Sequence, residues 1–306
     1  MASTKVLVTG GAGFLGGNVC RALESHDFAI RVFDFSPERL KPLEERGIET
    51  EAGDCCDAEA VQRAVTGVDA VFHLVAAPEY ASKETHERVT IGGVKTLAAA
   101  MKQAGVKRLL YISSTKAAVS YAGHYGTSKA KAEAFLHDTD LDYTVFRPAL
   151  LYGPGEVKLS KSIKFVAKHK FVPVVGNGRY DIWPIHAEDL GNAMVAALER
   201  EAAVGKTYDV CGPTRVNFNE LTDMIAAHLG KKVWKLRLPL WLCQLIAWVL
   251  SKTTHAPFIS VDQVHAVRAG NAVPDMGPAR RDLDFNPRSF EDGLREHMKT
   301  LGFPTA

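Results

Sequence analysis

The sequence predicts a doubly wound parallel α/β sheet with a smaller C-terminal lobe, and three observations carry that expectation. Short apolar runs alternate with helical stretches through the first half, a glycine-rich turn joins the first run to the first helix, and the rhythm breaks after Pro148. The runs at 5–9, 30–35, 70–75, 108–113 and 143–147 are nearly continuous in apolar residues, as strands covered on both faces are. Helical patterns fall between and after them at 14–25, 37–46, 57–65, 84–103 and 121–137. Strand–helix alternation at this spacing makes a parallel sheet. Past residue 150, Gly153-Pro154-Gly155 and Gly176-Asn177-Gly178 interrupt the chain. Shorter elements follow: helices near 187–200, 219–229 and 289–299, and a strand near 206–210. Residues 1–150 are assigned to the sheet domain, with later segments returning to it. Residues 151–306 are assigned mainly to a substrate-binding lobe over the C-terminal edge of the sheet, where ligands of such sheets bind.

Composition sets bounds on function. The 306 residues suffice for one large α/β unit, and 46% hydrophobic with 24% charged residues is ordinary for a globular enzyme. A formal charge of +2 without a Lys/Arg block gives no reason to expect nucleic acid as a partner. The five cysteines (Cys20, Cys55, Cys56, Cys211 and Cys243) form no CxxC pair, and their odd number argues against a disulfide framework. Reduced thiols and the lack of a signal-peptide pattern point to the cytoplasm. The apolar segment LPLWLCQLIAWVL at 238–250 is too short to span a bilayer. It reads first as a packed helix or a lid on the substrate pocket. Because Lys231, Lys232, Lys235 and Arg237 precede it, contact with a membrane surface is the second reading.

The glycine turn identifies the cofactor class. In VLVTGGAGFLGG, Gly10, Gly13 and Gly16 lie between the first strand and the first helix. A tight turn there needs unusual φ, and a Cβ would hold a pyrophosphate away from the backbone amides and the helix N-terminus. This is the Rossmann arrangement for a dinucleotide. Asp34 ends the second strand 18 residues beyond Gly16. A carboxylate there accepts hydrogen bonds from the adenosine ribose and repels a 2′-phosphate, favouring NAD over NADP. Arg31 and Arg39 are nearby cations that leave NADP open.

Tyr125-Gly-Thr-Ser-Lys129 places a phenol and an ammonium four residues apart on one helical face. A nearby cation stabilises phenolate and is expected to lower the tyrosine pKa, fitting Tyr125 to exchange a proton with a substrate oxygen. Upstream, the fifth strand ends in Ser113-Ser114-Thr115, hydroxyls able to orient that oxygen. His124 is read as solvated, His73 and His186 as structural, and no His/Cys/Asp cluster has metal-ligand spacing.

Together these motifs resemble the extended short-chain dehydrogenase/reductases of the NAD-dependent epimerase/dehydratase family. The matches run through TGGAGFLG, GDCCD, VFHLVAA, LLYISST, YGTSK, FRPALLYGPG and IHAEDL, in family order across nearly the whole chain. The resemblance implies Thr115 as the hydroxyl of a Thr–Tyr–Lys triad with Tyr125 as acid/base and Lys129 as its partner. It also places Gly10, Gly13, Phe14, Leu15, Gly16, Asp34, Asp54, Cys55, Leu74, Val75, Ala76, Ser113 and Pro148 at the cofactor. Asp54 and Cys55 would lie at the adenine, and the backbone after Pro148 at the nicotinamide. A homodimer through the helices at 84–103 and 121–137 is implied as well.

The departures from the family pattern concern the substrate. Members acting on nucleotide sugars carry an arginine where GNGRYDIWPIH has Ile182, followed by Trp183 and Pro184; Arg179 is the alternative cation, in a different register. The stretch after GPG lacks the usual asparagine, and Thr90 stands for another family asparagine. The apolar 238–250 segment is more like the 3β-hydroxysteroid dehydrogenase branch, and apolar lining suits hydrophobic alcohols. A hydrophobic or other non-nucleotide substrate is therefore expected. A nucleotide-sugar epimerase/dehydratase and a non-catalytic dinucleotide-binding scaffold remain the alternatives.

Overall fold

A computed structural model describes residues 4–119, 123–253 and 273–304, with residues 247–253 described for their backbone only. The first half contains β1 Lys5–Thr9, α1 Phe14–Glu24, β2 Ala29–Asp34, α2 Pro37–Glu44, β3 Glu49–Ala52, α3 Ala58–Val65 and β4 Ala70–His73. A helical turn, α4 Lys83–Thr85, leads through a π-helical stretch His86–Gly92 into α5 Gly93–Ala104. Then come β5 Arg108–Ile112, α6 Gly123–His137, β6 Asp142–Pro148, β7 Leu151–Tyr152, α7 Lys158–Lys168 and β8 Phe171–Val175. The remainder is β9 Asp181–Ile182, β10 Ile185–His186, α8 Ala187–Leu198, β11 Lys206–Val210, β12 Val216–Asn217, α9 Phe218–His228, β13 Trp234–Leu238, α10 Leu240–Thr253, α11 Gly277–Leu283 and α12 Phe290–Thr300. The expected start of the fifth helix at Tyr121 lies outside the described residues.

Seven parallel strands form the central sheet in the order β11-β6-β5-β4-β1-β2-β3. Strand order reverses between β1 and β4, and such a reversal opens a crevice at the C-terminal strand ends. On one face, Val19 and Leu23 of α1 and Leu190 and Met194 of α8 pack over Val8, Val32 and Phe72. On the other, α3, α5 and α6 contribute Val61, Leu97, Met101 and Leu136 over Leu7, Val71 and Leu109. Thus α8 and β11, although they follow residue 151, belong to the sheet. A separate core gathers Tyr152, Leu159, Ile163, Val172, Leu221, Ile225, Phe290 and Leu294 from α7, α9, α12 and their strands.

Two sequence expectations need correction. Strand β3 was not expected, because Glu-Thr-Glu-Ala has no apolar run: it is the sheet's edge, pairs on one side only and stays largely exposed. The helix expected to run unbroken over 84–103 is widened into π-helical geometry at His86–Gly92. Such widenings recur at functional sites. Here it carries Thr90, fully buried, whose Oγ1 accepts the Ala77 N–H at 3.1 Å and so ties the loop after β4 to the helix.

Gly16 shows how closely α1 meets the turn. A Cβ built there would lie 2.4 Å from the Gly10 carbonyl oxygen and 2.5 Å from Gly11 Cα, whereas one on Gly17 meets nothing nearer than Arg21 Nη1 at 3.8 Å. Gly16→Ala should therefore cost about 1–3 kcal/mol through backbone crowding. Gly17→Ala, in a helix with room, should stabilise by about 0.5–1 kcal/mol. Urea unfolding of both variants checks the opposite signs.

Candidate active site

The crevice begins at the turn between β1 and α1. Gly10 adopts φ +72°, its N–H donating to the Phe33 carbonyl, and the Gly13 N–H closes back on the Gly10 carbonyl at 3.0 Å. The resulting cradle fits a pyrophosphate: glycine at Gly10, Gly13 and Gly16 leaves the backbone bare at the N-terminus of α1. Leu74 and Val75 border it, the Leu74 N–H donating to the Thr9 carbonyl and the Val75 side chain lying next to Gly10. Leu74, Val75 and Ala76 are each partly exposed, as are Phe14 and Leu15 on α1. Gly155, in the loop after β7, faces Phe14, and Pro148 ends β6 beside Val210 of β11.

Asp34 ends β2, nearly buried, with the Ser36 N–H 3.4 Å from its Oδ1. The two cations weighed against it are separated by the structure. Arg31 is engaged at the sheet edge, with Nε on Glu49 and Nη1 on the Ala64 and Thr66 carbonyls. Arg39 instead reaches the glycine turn, donating to the Ala12 carbonyl at 2.6 Å. Asp54, expected at the adenine, accepts from the Cys56 N–H and from Arg88 (2.9 Å), which hold its carboxyl below the usual range. Cys55 is buried against Gly93, and burial raises its thiol pKa.

Of the three catalytic residues expected from the sequence, Tyr125 and Lys129 lie one turn apart on α6. Glu133, which the sequence analysis did not single out, follows one turn further on, and Lys129 and Glu133 are buried. Lys129 Nζ donates to the Ile112 carbonyl at 2.6 Å and lies 4.8 Å from the centre of the Tyr111 ring. Burial pulls its pKa down to about 7, opposed by Glu133. Tyr125 is pushed up to about 12 by burial, offset in part by a hydrogen bond with Ser114. The expectation that Lys129 lowers the phenol pKa is therefore corrected: burial dominates, only Ser114 opposes it, and the phenol is protonated at neutral pH.

Ser114 hydrogen-bonds Tyr125, and Thr115, the hydroxyl expected from the sequence, is buried next to it at the start of a short 3-10 turn. Ser113 turns away: its hydroxyl donates to Glu133, which also accepts Arg147 Nε at 2.9 Å. His86, unremarked in the sequence, lies edge-on to Tyr125 at 6.0 Å, and its Nδ1 is 3.3 Å from Ser128 Oγ.

The histidines behave as expected. His124 is exposed. His73 is buried with Nδ1 2.7 Å from Thr9 Oγ1, and burial pulls its pKa down to about 3. His186 is buried edge-on against Tyr152. The expectation of no metal-ligand grouping is corrected: among the described residues, Asp54–Cys55–Cys56 and His186–Glu188–Glu296 have metal-ligand proximity, but Asp54 is paired with Arg88, and Glu188 and Glu296 with Arg288. A polar cleft of ≈ 560 Å³ lined by Arg179, Asp181, Arg215 and Lys235 lies in the lobe; it includes Arg179, the alternative cation of the sequence, and none of the expected catalytic or cofactor residues.

Lys129 makes stability depend on pH. Its folded pKa lies below the ordinary lysine value, so between about pH 7 and 10 the unfolded chain binds the extra proton. The cost of burial is full below about 7 and fades as pH rises. Wild type should accordingly gain stability relative to Lys129→Met between pH 7 and 9, on the order of 1 kcal/mol per pH unit. Urea melts of both proteins at each pH read the difference.

A sequence model of the NAD dependent epimerase/dehydratase family matches residues 6–211. Among curated proteins, the chain is similar to a 2-alkyl-3-oxoalkanoate reductase of Stenotrophomonas maltophilia (strain K279a), at 28% identity over 95% of this chain and 97% of the other. It is also similar to a 3 beta-hydroxysteroid dehydrogenase/Delta 5→4-isomerase of Mycobacterium tuberculosis (strain CDC 1551 / Oshkosh), at 27% identity over 92% and 86%. Among solved structures, UDP-glucuronic acid 4-epimerase from Bacillus cereus, in complex with UDP-glucuronic acid and NAD, shares the fold. It superposes with a TM-score of 0.79 over 98% of this chain and 99% of the other, at 20% identity. With its glycine cradle and parallel sheet in the matched region, this chain belongs to the NAD-dependent epimerase/dehydratase family and is an enzyme of that family with NAD as its cofactor.

Proposed function

We propose that the enzyme reduces the ketone of a hydrophobic, non-nucleotide substrate to a secondary alcohol, and runs the reverse oxidation at the same site. The observation that supports this most is the protonated, partly buried phenol of Tyr125, held by Ser114 above a buried Lys129. Bound NAD(H) supplies or accepts the hydride. Gly10, Gly13 and Gly16 leave room for its pyrophosphate, Asp34 receives the adenosine ribose, and Leu74, Val75 and Ala76 line its path. Tyr125 gives its proton to the carbonyl oxygen as negative charge develops there. Thr115 orients that oxygen from the turn after β5. Lys129, with a pKa near neutrality, gains or loses charge at little cost and steadies the phenolate left behind.

The substrate reading is supported at β9. Ile182, standing where nucleotide-sugar enzymes carry arginine, pairs with Val216 of β12 and packs against the apolar core of the lobe. Residue 182 itself offers no guanidinium to a diphosphate, and the nearby Arg215 is paired with Asp181. The 28% identical relative is named as a reductase of 2-alkyl-3-oxoalkanoates, which are ketones of this kind. A homodimer contact is assigned to α5 and α6.

Three measurements test the reading. Ketones of 3-oxoalkanoates, steroids and nucleotide sugars are offered with NADH while its absorbance is followed, and products are checked for epimers. Loss of NADH with the apolar ketones is the expected outcome, and epimerised nucleotide sugar without net cofactor change overturns the substrate class. Tyr125→Phe should lower kcat by about 10²–10⁴-fold while NAD affinity holds. Asp34→Ala should shift preference from NAD toward NADP, and an unchanged ratio removes Asp34 from the ribose site.

A further inference from the structure

The parallel pair of β8 and β13 has two unlike faces. In its register Phe171 stands beside Trp234, Pro173 beside Leu236 and Val175 beside Leu238, so these six side chains share one face of the pleat. Val172 and Val174 project from the other face and are buried. The first face is covered at one end only, where Val175 and Leu238 pack under Leu240 and Cys243 of α10. Beyond that end, Phe171, Trp234 and Leu236 are 65%, 71% and 57% exposed. Helix α10 adds Trp241 and Leu245, one turn apart and also more than half exposed. Scattered exposed apolar residues are ordinary, but five large ones on adjoining elements mark an interaction site.

Charge identifies the partner. Residues 158–179 and 231–253, which hold α7, β8, β13 and α10, contain eleven Lys and Arg and no Asp or Glu, in a chain whose formal charge is +2. Lys168, Lys170 and Lys232 lie exposed beside the Phe171–Trp234 end. Lys231 and Lys235 are occupied structurally, by the Val166 and Ala167 carbonyls and by Asp223. An identical copy placed face to face would oppose like charges. Aromatic and leucine side chains ringed by lysine are the composition of surfaces that lie at the boundary between lipid headgroups and acyl chains.

We propose that this face docks on an anionic lipid bilayer, with Trp234, Leu236, Phe171 and Trp241 at the acyl boundary and the lysines against the lipid phosphates. The enzyme lies on the surface, since no helix among the described residues is long and apolar enough to cross a membrane. The proposal does not rest on the reaction assigned above.

Co-sedimentation with vesicles of phosphatidylcholine, alone or mixed with phosphatidylglycerol, tests it. Binding is expected only to the phosphatidylglycerol vesicles, with a blue shift of tryptophan emission and loss on adding salt. The double variant Trp234→Ser, Leu236→Ser and the triple variant Lys168→Glu, Lys170→Glu, Lys232→Glu should each bind at least about tenfold more weakly. Unchanged NAD affinity and circular dichroism show that the variants are folded, and Tyr125→Phe should bind vesicles as wild type does. Failure of wild type to bind phosphatidylglycerol vesicles overturns the proposal, as does undiminished binding by the double variant. A concentration-dependent dimer that the double variant abolishes assigns the face to a second copy and overturns it equally.

Discussion

The site depends on one buried carboxylate. Glu133 sits on the inner side of α6, accepting the Ser113 hydroxyl from the end of β5 and the Arg147 guanidinium from the end of β6. A buried ion pair of this kind contributes little net stability compared with an apolar pair, yet removing one partner costs about 3–5 kcal/mol because a charge is left unpaired. Its value here is positional. The three groups meet at two neighbouring strand ends and one helix, so α6 can neither rotate nor slide without exposing or orphaning them. Lys129 and Tyr125, one and two turns away, inherit that fixed phase.

Burial then sets the chemistry of the stripe. Dehydration favours the neutral form of both lysine and tyrosine, and both shifts run that way. The result is a phenol that keeps its proton and an amine near its midpoint at neutral pH. A proton donor beside a carbonyl needs the first property. Stabilising the phenolate after transfer needs the second, because an amine near its midpoint takes up charge when a negative neighbour appears. The Ser114 hydrogen bond works in the same direction by favouring the ionised phenol. In the proposed reaction, three modest effects, each set by position on α6 or at the end of β5, would divide the work of one proton transfer.

Much of the sheet and of the cofactor site was readable because the causes are local. The run of Val6 to Thr9 followed by glycine needs no distant residue to be a strand and a turn, and Asp34 is placed by the end of its own strand. Edge strand β3 escaped because pairing with β2, not apolar character, makes it a strand. Helix α6 escaped in its details for a related reason. Its buried face carries Ser128, Lys129 and Glu133 among small residues, so hydrophobic periodicity could not reveal that two charged side chains point inward. The hydrogen bond of Ser114 to the phenol, and Arg39 rather than Arg31 beside the glycine turn, are set by backbone direction over one or two residues, beyond the reach of spacing alone.

The lobe was harder because its elements have no repeating rhythm, and the reason bears on function. A parallel sheet repeats one packing problem seven times, which leaves a regular imprint on sequence. The lobe is assembled from two-stranded pairs whose partners are far apart in the chain, β8 with β13 and β9 with β12. Each pair has one face committed to the core, while the other is free to vary without disturbing the fold. Ile182 in place of a cation, and tryptophan and leucine left bare beside lysines, are changes of that kind. The catalytic stripe tolerates no such freedom, since every group on it is fixed by burial. The proposed chemistry thus sits in the part of the molecule that physics over-determines, and the choice of substrate and surroundings falls to the part it leaves open.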